Sequence, residues 1–143
     1  MFKTGSWLTV LPPDHIKIGI SRSAPRGLPA GYRLYKRLAP GPWFNSVSPR
    51  EYDRLYRSEI LAQLDPTAVA ADILALAGGR IPVLCCYESK PGKEWCHRSM
   101  AALWLSNALG RPVPEFGFEH LPQEEHPFMP AVLRQPDPEE CAR

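Results

Sequence analysis

A chain of 143 residues with 44% hydrophobic side chains and a net charge of +2 has the size of one ordinary domain and enough apolar surface for a core of its own. That argues against a disulfide-stapled miniprotein, and no apolar run approaches the roughly 18 residues of a membrane span. Seventeen prolines, far above the usual share of about 5%, commit much of the chain to irregular structure and leave the regular elements to its middle.

The N-terminal MFKTGSWLTVLPPDH lacks the basic and then apolar regions of a signal peptide. Four cysteines, Cys85, Cys86, Cys96 and Cys141, need no pairing in a chain of this length, so a reducing, cytoplasmic setting with no membrane partner is expected. Charge is uneven. Residues 1 to 63 carry ten Lys or Arg against four Asp or Glu, a balance of +6, and residues 115 to 143 carry two against seven, a balance of −5. A basic front half suits a phosphate-bearing partner or nucleic acid, and equally suits an acidic tail lying against it.

In chain order, HIKIGIS at 15 to 21 alternates Ile16, Ile18 and Ile20 on one face, the period of a half-buried strand. The Pro- and Gly-marked loop that follows is basic through Arg22 and Arg26. Ser48, Pro49 and Glu51 spell a capping box, so a helix starts there and carries Tyr52, Leu55, Tyr56, Ile60 and Leu64 at near-helical spacing. Asp65 and Pro66 open a second helix with Val69, Ile73, Leu74 and Ala77, stopped by Gly78 and Gly79. IPVLCC at 81 to 86 reads as a central strand covered on both faces, with Cys85 and Cys86 on opposite sides. A third helix opens near Cys96 or His97, turns Met100, Leu103, Trp104 and Leu105 inward and ends before Gly110. VPEFGF at 113 to 118 is a candidate edge strand, given Pro114. The order predicts a single three-layer, Rossmann-like α/β domain over residues 1–118 with a small, mainly parallel sheet. A Pro- and Glu-rich tail, 119–143, is expected to be extended or partly disordered and anchored at most by Phe128, Met129, Val132 and Leu133.

The chemistry-bearing stretch is CCYESKPGKEWCHRSM, residues 85 to 100. Its loop leaves the carboxyl end of the central strand, where ligands bind in open α/β sheets. First-turn amides of the third helix, with Arg98 and Lys90 or Lys93, are candidates to hold an anion, and the Arg22–Arg26 loop converges there if the first strand adjoins the central one. A helix N-terminus beside imidazole and guanidinium should lower the pKa of Cys96, making it a candidate nucleophile, with His97 and Glu88 as its proton partners and Trp95 as a pocket wall. The same residues are also accounted for as a small cap residue, a surface histidine and a loop charge. Trp43, Phe44, Tyr52 and Tyr56 read as core.

A Cys-based phosphatase needs Arg six positions after its Cys, whereas Ala102 stands there. The nucleotide-binding glycine motifs and G-x-S-x-G are absent as well. Cys86, Cys96 and His97 offer zinc or iron ligands, but the nine-residue gap between the cysteines matches no common finger spacing, so no metal or other cofactor is assigned.

ISRSAPRG after the first strand, GYRLYKRLAP at 31 to 40, EYDRLYRSEIL and above all LCCYESKPGKEWCHR resemble the bacterial "domain of unknown function 488" family from about Ile18 to Phe116. The resemblance implies an α/β fold and a site at Cys86, Glu88, Cys96, His97 and Arg98, with Arg22, Pro25, Arg26 and Gly27 in the first loop. It names no substrate. The expectation is an enzyme-like domain binding a small anionic, phosphate- or nucleotide-like ligand, with Cys96, His97 and Glu88 in the chemistry and Arg98, Arg22, Arg26 and Gly27 around the anion. The alternatives are a non-catalytic nucleic-acid-binding module and a structural zinc or iron site on Cys86 and Cys96.

Overall fold

A computed structural model describes residues 1–134; Cys141 and the rest of the acidic terminus lie outside the described residues. The core is a four-stranded sheet, all parallel: β1 (Lys3–Ser6), β2 (His15–Gly19), β3 (Arg33–Leu34) and β4 (Ile81–Cys86), in the order β1-β4-β2-β3. IPVLCC is central, as its unbroken apolar run predicts. Its register sets Ser6 against Cys86 on one side and Gly19 against Cys85 on the other.

Three helices follow their predicted punctuation. In α1 (Pro49–Leu55) the Ser48 hydroxyl accepts from the Glu51 amide at 3.2 Å, and in α2 (Pro66–Ala77) Asp65 accepts from the Ala68 amide at 3.1 Å. Gly78 (φ 59°) closes α2 and Gly110 (φ 66°) closes α3 (His97–Leu109), both in the left-handed conformation that a Cβ would strain. The first helix does not run regularly to Leu64 as its spacing predicts. It loosens into a π-helical turn at Tyr56–Ile60 and then tightens into a 3₁₀ turn at Leu61–Gln63, before a bend of 80° into α2. That wide turn carries Tyr56 into the core, where its hydroxyl donates to the Leu38 carbonyl at 2.6 Å. In α3 the inward face is Met100, Ala101, Ala102 and Leu105, while Leu103 and Trp104 are only half-buried. No single helix among the described residues is long and apolar enough to cross a membrane.

The layering departs from the expected three. Ile16, Ile18, Ile20, Leu84 and Cys86 share one cluster with the buried residues of α1, α2 and α3. The opposite face, Val83 and Cys85, is covered by Trp7 with Leu11, Ala24, Leu28 and Tyr32, all on irregular chain. Trp7 lies so close to β2 that a Cβ on Gly19 would stand 2.2 Å from its ring, and its indole nitrogen donates to the Ser21 hydroxyl at 2.9 Å. VPEFGF forms a single parallel bridge, Glu115 to Thr4, outside β1.

The segment expected to be a loose tail is part of the body through residue 134. His126, Phe128 and Met129 are buried, and short 3₁₀ turns at Gln123–Glu125 and Ala131–Arg134 shape it. The prolines prevent regular structure without preventing burial.

Candidate functional site

Beyond β2 the chain turns to β3 on one side. Beyond β4 it passes through α3 to Glu115 on the far side of β1. Adjacent strands β2 and β4 therefore send their connections in opposite directions, and this is the crevice where α/β sheets bind ligands. A cavity of about 480 Å³ opens there, lined by Ser21, Arg22 and Ser23 after β2, by Cys86, Tyr87 and Glu88 after β4, and by Lys93 to His97 entering α3. That volume suits a small organic ligand.

Three side chains form its floor. Cys86 ends β4, Cys96 caps α3 and His97 is the first residue of α3; all three are buried. His97 Nδ1 lies 3.7 Å from the Cys86 sulfur and 3.9 Å from the Cys96 sulfur, and the three ligand atoms fall within 4.8 Å of one another. The other ring nitrogen, Nε2, is 2.9 Å from the Ile20 carbonyl, which can only accept. The Nε2–H is therefore directed at that carbonyl, while the Cys86 sulfur, 3.8 Å from Nε2 as well as 3.7 Å from Nδ1, lies beside the ring rather than on the line of the Nδ1 lone pair. His97 is thus no surface group. Glu88 and Trp95 line the same cavity, as expected of them.

Cys96 does not have the expected lowered pKa. Burial pushes its thiol well above the ordinary value, the neighbouring Cys86 adds to this, and Arg98 and His97 oppose it without prevailing. A thiolate activated by the helix terminus alone is therefore not what the geometry provides.

Arg98 is also placed differently from the anion clamp expected of it. It is fully buried, away from the cavity, with Nε and Nη2 each donating to a Glu115 carboxylate oxygen at 2.9 Å and Nη1 donating to the Glu88 carbonyl at 2.9 Å. The Phe128 ring packs 3.8 Å from its guanidinium carbon. Thr4 donates to the same carboxylate at 2.7 Å. His126 Nδ1 accepts from the Phe128 amide at 3.1 Å, so its Nε2–H donates to the Thr4 hydroxyl at 2.7 Å. Burial, with Arg98 and Arg134 nearby, holds the His126 pKa down to about 3 and keeps the ring neutral. The network anchors β4's exit loop to the start of α3.

Three of the amides at the start of α3 are engaged rather than turned toward an anion. The amide of Cys96 donates to the Phe128 carbonyl at 2.9 Å, that of Arg98 to the Cys96 sulfur at 3.5 Å and that of Ser99 to the Cys96 carbonyl at 3.0 Å. Of the basic residues, Arg22 and Lys93 line the cavity. Arg22 stacks 5.4 Å over Phe44 and donates to the Pro40 carbonyl at 3.2 Å. Arg26 and Gly27 are exposed and stand outside the lining, as does Lys90.

Tyr52 is core, as read from the sequence, and is also a wall of the site. It packs edge-on against Trp95 at 4.8 Å and Trp43 at 4.9 Å, with Phe44 completing the aromatic side of the cavity. Burial, then Cys96, Cys86 and Glu88, hold its phenol far above the ordinary pKa, so it remains a neutral hydroxyl. Its helical spacing is the same for a core and a cavity position, so the sequence held no signal to separate them. Glu115, by contrast, stands as a lone charge within apolar VPEFGF, and a buried carboxylate requires a cation.

Comparison of the chain with protein-family models, with curated proteins and with solved structures gave no match in any of the three.

Proposed function

We propose that this domain is enzyme-like and takes a small anionic ligand bearing a flat ring, of the phosphate- or nucleotide-like class, into the cavity between β2 and β4. The observation carrying this reading is the convergence of Cys86, Cys96 and His97 at the floor of a cavity at the sheet's switch point. Arg22 and Lys93 are the cations placed to meet the ligand's charge, Phe44, Tyr52 and Trp95 offer faces and edges to a ring, and Glu88 is the carboxylate available for proton transfer. Arg98 supports the floor from behind rather than touching the ligand. The resemblance to the unknown-function 488 family is consistent with the same cluster and adds no reaction.

The test is a thermal-shift screen of nucleoside monophosphates, sugar phosphates and carboxylates, followed by calorimetry on the best binder. Arg22→Ala should weaken that binder by ~10-fold or more, the worth of a hydrogen bond to a charged group. A screen in which no anionic compound raises the melting temperature, or binding untouched by Arg22→Ala, refutes the reading. Binding of mixed-sequence oligonucleotides with steep salt dependence, and of no mononucleotide, would favour the nucleic-acid module instead.

A further inference from the structure

We infer that Cys86, Cys96 and His97 form a three-ligand site for a divalent, thiophilic metal ion, zinc by preference, whose fourth position opens into the cavity. This deepens the ligand-site reading by naming the cofactor of the same floor. A tetrahedral ion with metal–sulfur bonds of about 2.3 Å and a metal–nitrogen bond of about 2.0 Å sets sulfur–nitrogen edges of roughly 3.6 Å. The observed sulfur–Nδ1 distances are 3.7 and 3.9 Å, with all three atoms within 4.8 Å of one another. The Cys86 sulfur is also 3.8 Å from Nε2, so its side chain must turn toward the Nδ1 lone pair to complete the tetrahedral corner.

Three further features agree. The Ile20 carbonyl takes the Nε2 proton at 2.9 Å, leaving Nδ1 as the donor atom; metal-bound histidines are fixed by this kind of outer contact. The Arg98 amide points at the Cys96 sulfur at 3.5 Å, a contact that favours thiolate. Two thiolates and a neutral imidazole cancel a divalent charge, so the loaded site adds no net charge to a buried place. Sulfur and imidazole together select zinc or ferrous iron over magnesium or calcium. The surrounding cavity leaves one side of the trio open, the arrangement of a catalytic ion rather than a closed structural one. Glu88 lines that side and is placed to exchange a proton with whatever occupies the fourth position.

The spacing offered these ligands without assigning the site, because they form neither a C-x-x-C pair nor a finger repeat. One ligand ends a strand and two open a helix, and parallel pairing of β2 with β4 supplies the Ile20 carbonyl that orients the ring.

Full-length protein stripped of metal and titrated with cobalt(II) should take up one equivalent, with a thiolate-to-cobalt charge-transfer band and the intense visible bands of tetrahedral cobalt, and zinc should displace it. Cys86→Ser, Cys96→Ser and His97→Gln should each weaken zinc by more than ~100-fold, beyond the usual loss for an outer-shell partner. Because a variant can fail to fold, the wild-type chain supplies a second readout: zinc should protect Cys86 and Cys96, resolved by mass, from alkylation. Cobalt uptake without the charge-transfer band, or zinc that leaves both alkylation rates unchanged, overturns the inference. So does a reversible Cys86–Cys96 disulfide in protein that takes up no metal. Nucleotide binding measured on the stripped protein separates the two ideas. Binding there without metal uptake leaves the ligand reading standing alone, and metal uptake with no anionic ligand in the screen leaves only the metal site.

Discussion

If Arg98 is a buttress, breaking its pair with Glu115 must cost stability before it costs binding. The guanidinium and carboxylate are 0% and 6% exposed and meet through two bonds of 2.9 Å. Arg98→Met strands a buried carboxylate that, among the described residues, keeps Thr4 and His126, and Glu115→Gln strands a buried cation; either loss is worth about 3–5 kcal/mol. Unfolding entropy of about 2.1 cal/mol/K per residue gives a chain of 143 residues roughly 0.3 kcal/mol/K, so a loss near 4 kcal/mol lowers the melting temperature by about 13 °C. Urea unfolding of both single variants and of the double variant closes a mutant cycle. The pair should show a coupling of at least ~2 kcal/mol, because the second change removes the partner that the first had stranded. Single losses below ~1 kcal/mol, or losses that add within ~0.5 kcal/mol, would refute the buttress. Loss of ligand affinity in Arg98→Met at unchanged stability would return Arg98 to the role of clamp.

Acid should loosen the same network through His126. Its folded pKa of about 3 lies below the ordinary 6.5, so the unfolded chain binds the proton first; stability is full above pH 6.5 and falls toward pH 3 by up to ~4 kcal/mol, at ~1.36 kcal/mol per unit. Urea midpoints of wild type and His126→Gln across that window should differ in slope, and parallel curves would contradict the assignment. On the other face of the sheet, Gly19→Ala should cost about 3 kcal/mol, since its methyl would stand 2.2 Å from the Trp7 ring and 2.9 Å from Leu34. Trp7→Leu should restore part of that loss, and a neutral Gly19→Ala would mean that the indole does not lie where it is described.

Much of the fold was legible where the signals are local. Ser48 and Asp65 cap their helices, Gly78 and Gly110 end theirs, and the run Ile81–Cys86 is the central strand. What failed to show is non-local. β1 has only four residues, and its KTGS carries no apolar alternation, because Thr4 and Ser6 are buried by hydrogen bonding and by pairing with β4 rather than by hydrophobicity. The three-layer expectation assumed helices on both faces, yet Trp7 with Leu11, Ala24, Leu28 and Tyr32, on irregular chain, packs where a second helical layer was expected. Likewise the prolines around Phe128 read as an extended tail with a few apolar anchors; Phe128 and Met129 are buried as such anchors would be, but the carbonyl and ring that Phe128 brings onto the start of α3 had no local signal.

Part of the cavity lining, Arg22, Cys86, Glu88, Trp95, Cys96 and His97, was legible in the sequence, whereas the electrostatics of Cys96 were not, and the reason is specific to that residue. Adjacency in sequence placed a helix terminus, an imidazole and a guanidinium beside the thiol, all of which favour thiolate. Distance in space decides otherwise. Glu115, seventeen residues after Arg98, takes up that positive charge, and Phe128 closes over the loop so that burial outweighs what remains. The Phe128 carbonyl holds the Cys96 amide while the Ile20 carbonyl fixes the His97 ring, so both groups are set in place by chain far from them in sequence. Cys86 at the end of β4 and Cys96 and His97 at the start of α3 are thereby held in a buried floor, and rigid placement of this kind is what the proposed ion or ligand requires, whereas a free nucleophile gains from exposure and a lowered pKa.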